Sequence, residues 1–394
     1  MRILARSLAA LLLFWPALAL GQMSGRFYLQ KHTFAPGEPV FLYFEVTNSG
    51  EQAQNIIQAD PYSFCAGYQI RLSTDVNANP SSSCAPLGIG GSCLSSHQMV
   101  APSASHVERI LLNYEHKISA PGEYEIDATR HLEYAPASLD FFRAHHSSID
   151  VHQHLSFTID DNAGPADPNM QDWVVRLHSS DEPIRWEAAL TLAAIAPKSQ
   201  EDVLLSFTGN PELRTWAPMA LYRLNTPRSI AALAELLRKS EPGTYESMRS
   251  ADLLAETGDP QWFPSLLEVA RKNPHIVSYL DDAASVGGNQ ILIDLLAMIN
   301  SPDEVTRQNA TQALGSSGTR QAVPFLLNLL RSDDPSSAGE AIFSLRQLTH
   351  LSIAGDWWRD PPSQYPKWAQ WWNTEGFTAR IYKATECGPV AALK

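Results

Sequence analysis

The residues whose types and spacing suit chemistry are His145, His146, Asp150, His152 and His154. On an extended strand, side chains two residues apart share a face. If Ile149, Val151, Leu155, Phe157 and Ile159 turn inward, then Asp150, His152 and His154 stand together on the other side. There, imidazoles could share Zn²⁺ or Cu²⁺, with His145 and His146 completing the set. The solvated outer face of a strand shows the same spacing. Such His pairs are common, and no group that would orient the imidazoles is visible, so the solvated face is the favoured reading.

Thiol chemistry is the second candidate. Cys65, Cys84, Cys93 and Cys387 include no CxxC, and four cysteines allow three pairings among which sequence does not choose. Cys84 and Cys93 flank a glycine-rich stretch able to close easily, which makes them the favoured disulfide and leaves Cys65 with Cys387 to staple the tail to the first domain. The glycines Gly88, Gly90 and Gly91 are followed by neither GK[ST] nor a helix, so they do not suit phosphate. GxSxG, HExxH, P-loop, EF-hand and GxGxxG patterns are all missing. A Ser-His-Asp set drawn from distant positions would leave no such trace. The expectation is a chain that is not an enzyme and needs no cofactor.

Before these residues stands a targeting signature. Arg2 and Arg6 precede an apolar run, Ser7 to Leu20, broken by Pro16, with small residues near Ala19 and Gly21. Segment 1–21 therefore reads as a signal peptide, too short to span a bilayer, and the destination is secreted or periplasmic, where disulfides persist. No later run is apolar enough to cross a membrane. The formal charge of −13 repels phosphate backbones and excludes nucleic acid as a natural partner.

The elements that carry these residues fall into two classes. Residues 25–160 have a period of two: Val40, Leu42, Phe44 and Val46 alternate with Phe41, Tyr43, Glu45 and Thr47. Pro36-Gly37 and Pro121-Gly122 are turns that introduce strands. Several short strands without helical periods predict a β-sandwich. The breaker-rich segment 161–168 reads as a linker.

Residues 169–352 switch to helical spacing. Leu192, Leu221, Leu254, Ala284, Leu314 and Leu345 recur 29 to 33 residues apart, which predicts an α-solenoid of about six helix pairs. Ala188, Ala217, Ala310 and Ala341 stand four residues before the repeating position, where close helix crossing tolerates no bulk. Segment 353–394 is rich in tryptophan. Trp368, Trp371 and Trp372 share a helical face and read as a cap for the last repeat, with a sugar platform as the other possibility.

Two resemblances follow. Phe34-Ala35-Pro36-Gly37-Glu38-Pro39-Val40 leading into Phe44 to Asn48 resembles the start of immunoglobulin-like bacterial domains, including a proteinase-inhibitor type. Ile184-Arg185, Ala188-Ala189, Leu192-Ala193 and Ala313-Leu314-Gly315, with the run Ala322 to Leu330, resemble HEAT repeats. The fourth unit is weakest, retaining only Ala283 to Gly288. A variant of these repeats occurs in phycobilin lyases, but nothing here carries that chemistry over. HEAT resemblance implies a concave surface for a protein or peptide partner.

On that surface Arg185, Arg214 and Arg307 fall at nearly equivalent places, either as a cationic ladder for an acidic partner or paired with acids such as Asp181 and Asp303 inside each repeat; the pairing is favoured. Trp186 and Trp216 beside them are core residues or groove anchors. The reading is a monomeric, non-catalytic interaction or scaffold module. A metal-binding or inhibitor-like β domain, and an enzyme without a visible motif, are the alternatives. N-terminal sequencing of native protein should find a chain starting after Ala19 to Gly21; a mature chain starting at Met1 would contradict export.

Overall fold

Alternating apolar residues build the first part of the chain into two facing sheets, in a computed structural model that describes residues 23–58, 67–74, 96–116, 118–141, 145–164, 167–352, 360–383 and 391–392. The four cysteines, the expected signal peptide and Trp357-Trp358 lie outside the described residues. The smaller sheet joins β1 (Met23–Leu29), β3 (Phe41–Asn48) and β7 (Ala104–Leu111), all antiparallel. The larger runs in the order β2 (Thr33–Phe34), β9 (Ser147–Ile159), β8 (Gly122–Pro136), β4 (Gln54–Gln58) and β6 (Ser96–Val100), with β5 (Tyr68–Thr74) also on β8. Val40, Leu42, Phe44 and Val46 are fully buried and share a core with Ile126, Ala128, Leu132 and Phe157.

One charge crosses this core. Arg130 of β8 is 1% exposed and meets Glu108 of β7 at 3.2 Å. Its guanidinium lies over the Tyr68 ring at 3.9 Å and donates to the Ile57 carbonyl at 3.1 Å, while the Tyr68 hydroxyl donates to Glu108. A buried charge is tolerable only with such partners.

The helical part contains twelve helices in six pairs. The first helices are α1 (Asp167–Arg176), α3 (Glu201–Ser206), α5 (Pro227–Lys239), α7 (Phe263–Lys272), α9 (Leu292–Ile299) and α11 (Ala322–Leu329). The second helices are α2 (Glu182–Ile195), α4 (Ala217–Leu224), α6 (Tyr245–Glu256), α8 (Val277–Gly287), α10 (Glu304–Ser316) and α12 (Pro335–Thr349). Thr226, Asp303 and Asp334 cap α5, α10 and α12 by accepting from backbone N–H groups of the first turn. Second helices pack on one another along the whole array, whereas first helices touch their neighbours sparsely, so the second helices form the inner, concave layer. The repeating residues Leu192, Leu221, Leu254, Ala284, Leu314 and Leu345 are all fully buried. Gly315 lets α10 and α12 approach, since a Cβ there would stand 2.8 Å from the Ser344 Cα. Among the described residues no helix is long and apolar enough to cross a membrane.

Segment 161–168, expected as a linker, does not separate two independent bodies. It contains a short 3₁₀ turn, Asp161–Ala163, and α1 already begins at Asp167. The outer face of the smaller sheet then lies against the first repeat. Leu111 belongs to the core of α1 and α2, and Phe41 packs on Trp173 with ring centroids 5.8 Å apart. Arg109 covers Phe41 and pairs with Glu187 at 2.9 Å. Arg223 of α4 donates to the carbonyls of Asn113 and Tyr114, just after β7, and to Ala194 at 2.6 Å.

The far end is covered as well. In α13 (Pro361–Trp371), Trp368 and Trp371 are buried in the same core as α11 and α12, and Trp372 packs partly against it. Arg320 donates to the carbonyls of Gly376 and Ala379, and Tyr382 stacks on His350 at 3.7 Å.

Arg223→Ala would leave three carbonyls at the domain junction without their charged donor. It should cost about 2–4 kcal/mol in urea unfolding, with α2 losing amide protection first. A loss below about 0.5 kcal/mol would show that the junction does not depend on this residue.

Candidate functional site

The histidine set separates into cross-strand pairs. On exposed positions of β9, Asp150 accepts from His131 Nδ1 at 2.7 Å and His154 Nδ1 donates to Asp127 at 3.0 Å, both partners lying on β8. That hydrogen bond raises the His154 pKa and lowers that of Asp127. His146 Nε2 donates to the Phe141 carbonyl at 2.6 Å, His152 stands opposite Thr129, and His145 is exposed. Asp150, His152 and His154 share the exposed face, where His154 turns sideways to Asp127 and Asp150 is taken by His131. Among the described residues, no group of three or more His, Cys, Asp or Glu is arranged to hold a metal ion.

The arginines are engaged within the stack. Each donates to the carbonyl six residues earlier: Arg185 to Ser179 at 2.9 Å, Arg214 to Thr208 at 3.1 Å and Arg307 to Ser301 at 3.0 Å. Arg185 and Arg307 also reach an acid of the following repeat, Glu212 and Asp334, each at 3.3 Å. The expected partners differ: Asp303 caps α10, accepting from the Thr306 N–H at 2.8 Å, and no pair joins Asp181 to Arg185 among the described ion pairs. Arg185 and Arg307 thus latch one repeat to the next, and Arg214 is tied within its own. Trp216 packs against the core, whereas Trp186 is 51% exposed. Ile184 and Val175 line an open cleft of about 750 Å³ beside Arg109 and Glu187.

A different set converges on the inner layer. Asp252 and Glu256 on α6 and Asp281 and Asp282 on α8 meet at the centre of the concave face. Asp252 and Asp282 each stand two residues before the repeating position, where other units carry Leu190, Met219, Gln312 and Phe343. Arg249 pairs with Asp252 and reaches Glu256 at 3.7 Å. Both Asp281 oxygens are taken, by the Ser316 hydroxyl at 2.8 Å and Gln312 Nε2 at 2.9 Å, from α10. Asp282 Oδ2 is closed off from solvent and accepts no hydrogen bond.

Burial pushes the Asp281 carboxyl up to about 6, against the pull of its two donors. Burial also raises Asp282 well above the usual carboxylate range, reinforced by the charges of Asp252, Asp281 and Glu256 and opposed by Arg249. Glu256 is raised by burial and by Asp252, although Tyr222 bonds to it. Sequence reasoning missed this strip. The signal was present as an acid at one repeat position in two units, a position uncharged in the other four.

Comparison with known proteins places the array. Residues 170–251 and 283–353 match the family model for HEAT repeats. No curated protein matches the chain. Among solved structures the chain is similar to an engineered protein from a structural genomics consortium, at 20% identity and a TM-score of 0.27, over 45% of this chain and 96% of that one. The chain is thus a β domain followed by a helical solenoid containing HEAT repeats.

The raised carboxyls fix the sign of a pH effect. Native Asp281 and Asp282 hold protons more tightly than in the unfolded chain, so their stabilising contribution is complete below the ordinary Asp range. It is lost as pH rises through the native values, near 6 for Asp281. Asp282→Asn should therefore raise stability at pH 7.5 by about 1–3 kcal/mol and flatten the decline between pH 5 and 7.5 in urea unfolding. Equal destabilisation at both pH values would contradict an uncompensated charge at this position.

Proposed function

We propose that the chain is a non-catalytic interaction or scaffold module of the cell envelope or extracellular space, binding a protein or peptide through the solenoid. HEAT arrays offer an extended inner face, and such arrays serve mainly as platforms for other proteins. The observation that carries the reading is the inner layer itself. From α6 to α12 it presents Asp252, Asp282, Val286, Gln312 and Gln347 partly open along one strip, with Asp282 Oδ2 lacking a donor. A surface that forms its own hydrogen bonds completely has less to offer a partner; this one has an acceptor left over.

The β domain has two tasks in this reading. Its smaller sheet covers the first repeat, and the outer face of its larger sheet, with the histidines, is free for a second contact. Export is supported by the basic start and apolar run at the N-terminus. The module acts as a monomer, without nucleic acid and without a membrane span.

A photocrosslinking residue introduced at Val286, on the inner layer, should capture a protein partner from an envelope extract. The same probe at Ile293, which is 80% exposed on α9, should capture several-fold less. Adducts at Ile293 or on the β domain with none at Val286 would overturn the assignment of the binding face.

A further inference from the structure

We propose that the inner strip at the third and fourth repeats is a receptor for a cationic side chain, a lysine or arginine on a segment of a protein partner, with the Asp282 carboxylate as its seat. The inference rests on reading the solenoid as a binding module and adds the chemistry of what it holds.

The local charges do not balance. Three carboxylates, Asp252, Glu256 and Asp282, stand near one guanidinium, that of Arg249, and Asp281 adds its charge beside Asp282. Glu340 of α12 adds to the negative field at Asp281. Arg223 of α4 lies within reach of the field of Arg249, but its guanidinium is bound to the carbonyls of Asn113, Tyr114 and Ala194. Tyr222 bonds to Glu256, and Gln312 with Ser316 occupies Asp281. Every acid of the set therefore has a donor except Asp282, whose Oδ2 is buried and unpartnered. Other acceptors of the chain are also buried and bare, Glu108 Oε1 and Gln54 Oε1 among them, but Glu108 has the Arg130 guanidinium beside it, whereas Asp282 stands among further acids.

The chemistry of the missing donor follows from the same residues. Arg249 already shows that a guanidinium fits among these acids. A divalent ion would need three or more protein ligands converging on one point, and among the described residues these acids and the rest form no such arrangement. A tethered ammonium or guanidinium needs one carboxylate oxygen and a negative surround, and both are present. The chain's formal charge of −13 attracts such a segment from a distance.

Binding should also displace a proton. Burial and the neighbouring acids favour the neutral form of Asp282 in the free protein. Docking turns the carboxylic acid plus ammonium into a carboxylate–ammonium pair and one released proton. Affinity for a cation then rises with pH, because release of the proton is linked to binding.

Calorimetry on the intact mature protein with hexalysine, and hexaserine as the uncharged control, tests this at pH 5.5 and 7.5 in fixed salt. Hexalysine should bind at least tenfold more tightly at pH 7.5, with a heat that depends on the ionisation enthalpy of the buffer. Asp282→Asn should weaken binding at pH 7.5 about tenfold and leave only the weaker pH dependence that Asp281 and Glu256 contribute. Asp202→Asn on α3, whose side chain is 87% exposed, should change affinity less than twofold. Equal losses in the two variants would mean diffuse attraction and overturn the seat, as would calcium binding that Asp282→Asn abolishes. Crosslinks at Val286 with unchanged peptide affinity in Asp282→Asn would leave the module standing and overturn the cationic seat. Loss of peptide binding in that variant, with no crosslinks on the inner layer, would support the seat and overturn the wider reading.

Discussion

A stack of helix pairs exposes a core-like face at each end, and covering those two faces is the constraint on which this molecule depends. At the start the cover is a sheet: Leu111 enters the core of α1 and α2, Phe41 lies on Trp173, and Arg223 pins the chain after β7 through two carbonyls while holding a third in α2. At the finish the cover is α13, with Trp368 and Trp371 sunk into the core of the last repeat and Arg320 holding the following turn by two carbonyls. The two ends use the same device. An arginine from the solenoid satisfies backbone acceptors of the cover, while aromatic side chains supply the apolar area.

With the ends held, the middle can carry a feature that costs stability. Glu256, Asp281 and Asp282 destabilise the folded state at neutral pH, because burial and neighbouring acids disfavour their charged forms. The arginines Arg185 and Arg307 link successive repeats on either side of this region, and Gly287 lets α8 sit against Phe263, where a Cβ would stand 2.2 Å from the ring. Strain of this kind persists where the surrounding structure over-determines it, and such places are commonly functional.

Much of this was legible in the sequence, and what was not has a common cause. The alternation through Val40, Leu42, Phe44 and Val46 gives the buried face of β3, and the repeating leucines mark the inner layer, because both patterns are local. The fourth repeat is nearly invisible in sequence, yet α8 forms; the family model skips residues 252–282 as well. Its helix is held by neighbours on both sides rather than by its own signature. Phe41 and Tyr43 looked like the outward face of a strand. Their aromatic character was the clue that this face is covered too, but only the fold says by what. Arg223 and Asp282 were silent for the same reason: the carbonyls that Arg223 reaches, and the α6 acids beside Asp282, come from elements tens of residues away. The histidines were read onto the correct face of β9, while their partners on β8 depend on strand register, which periodicity does not give.

The central claim, that an end cover holds a quasi-one-dimensional stack, is tested most directly by amide hydrogen exchange along the intact chain and its Trp368→Ala variant. Removing a buried tryptophan from the terminal core should cost about 3–5 kcal/mol locally. The account predicts a large loss of protection in residues 322–349, a smaller one in α9 and α10, and protection close to the parent in α2. Unchanged protection in 322–349, or the same loss in every repeat, would contradict it.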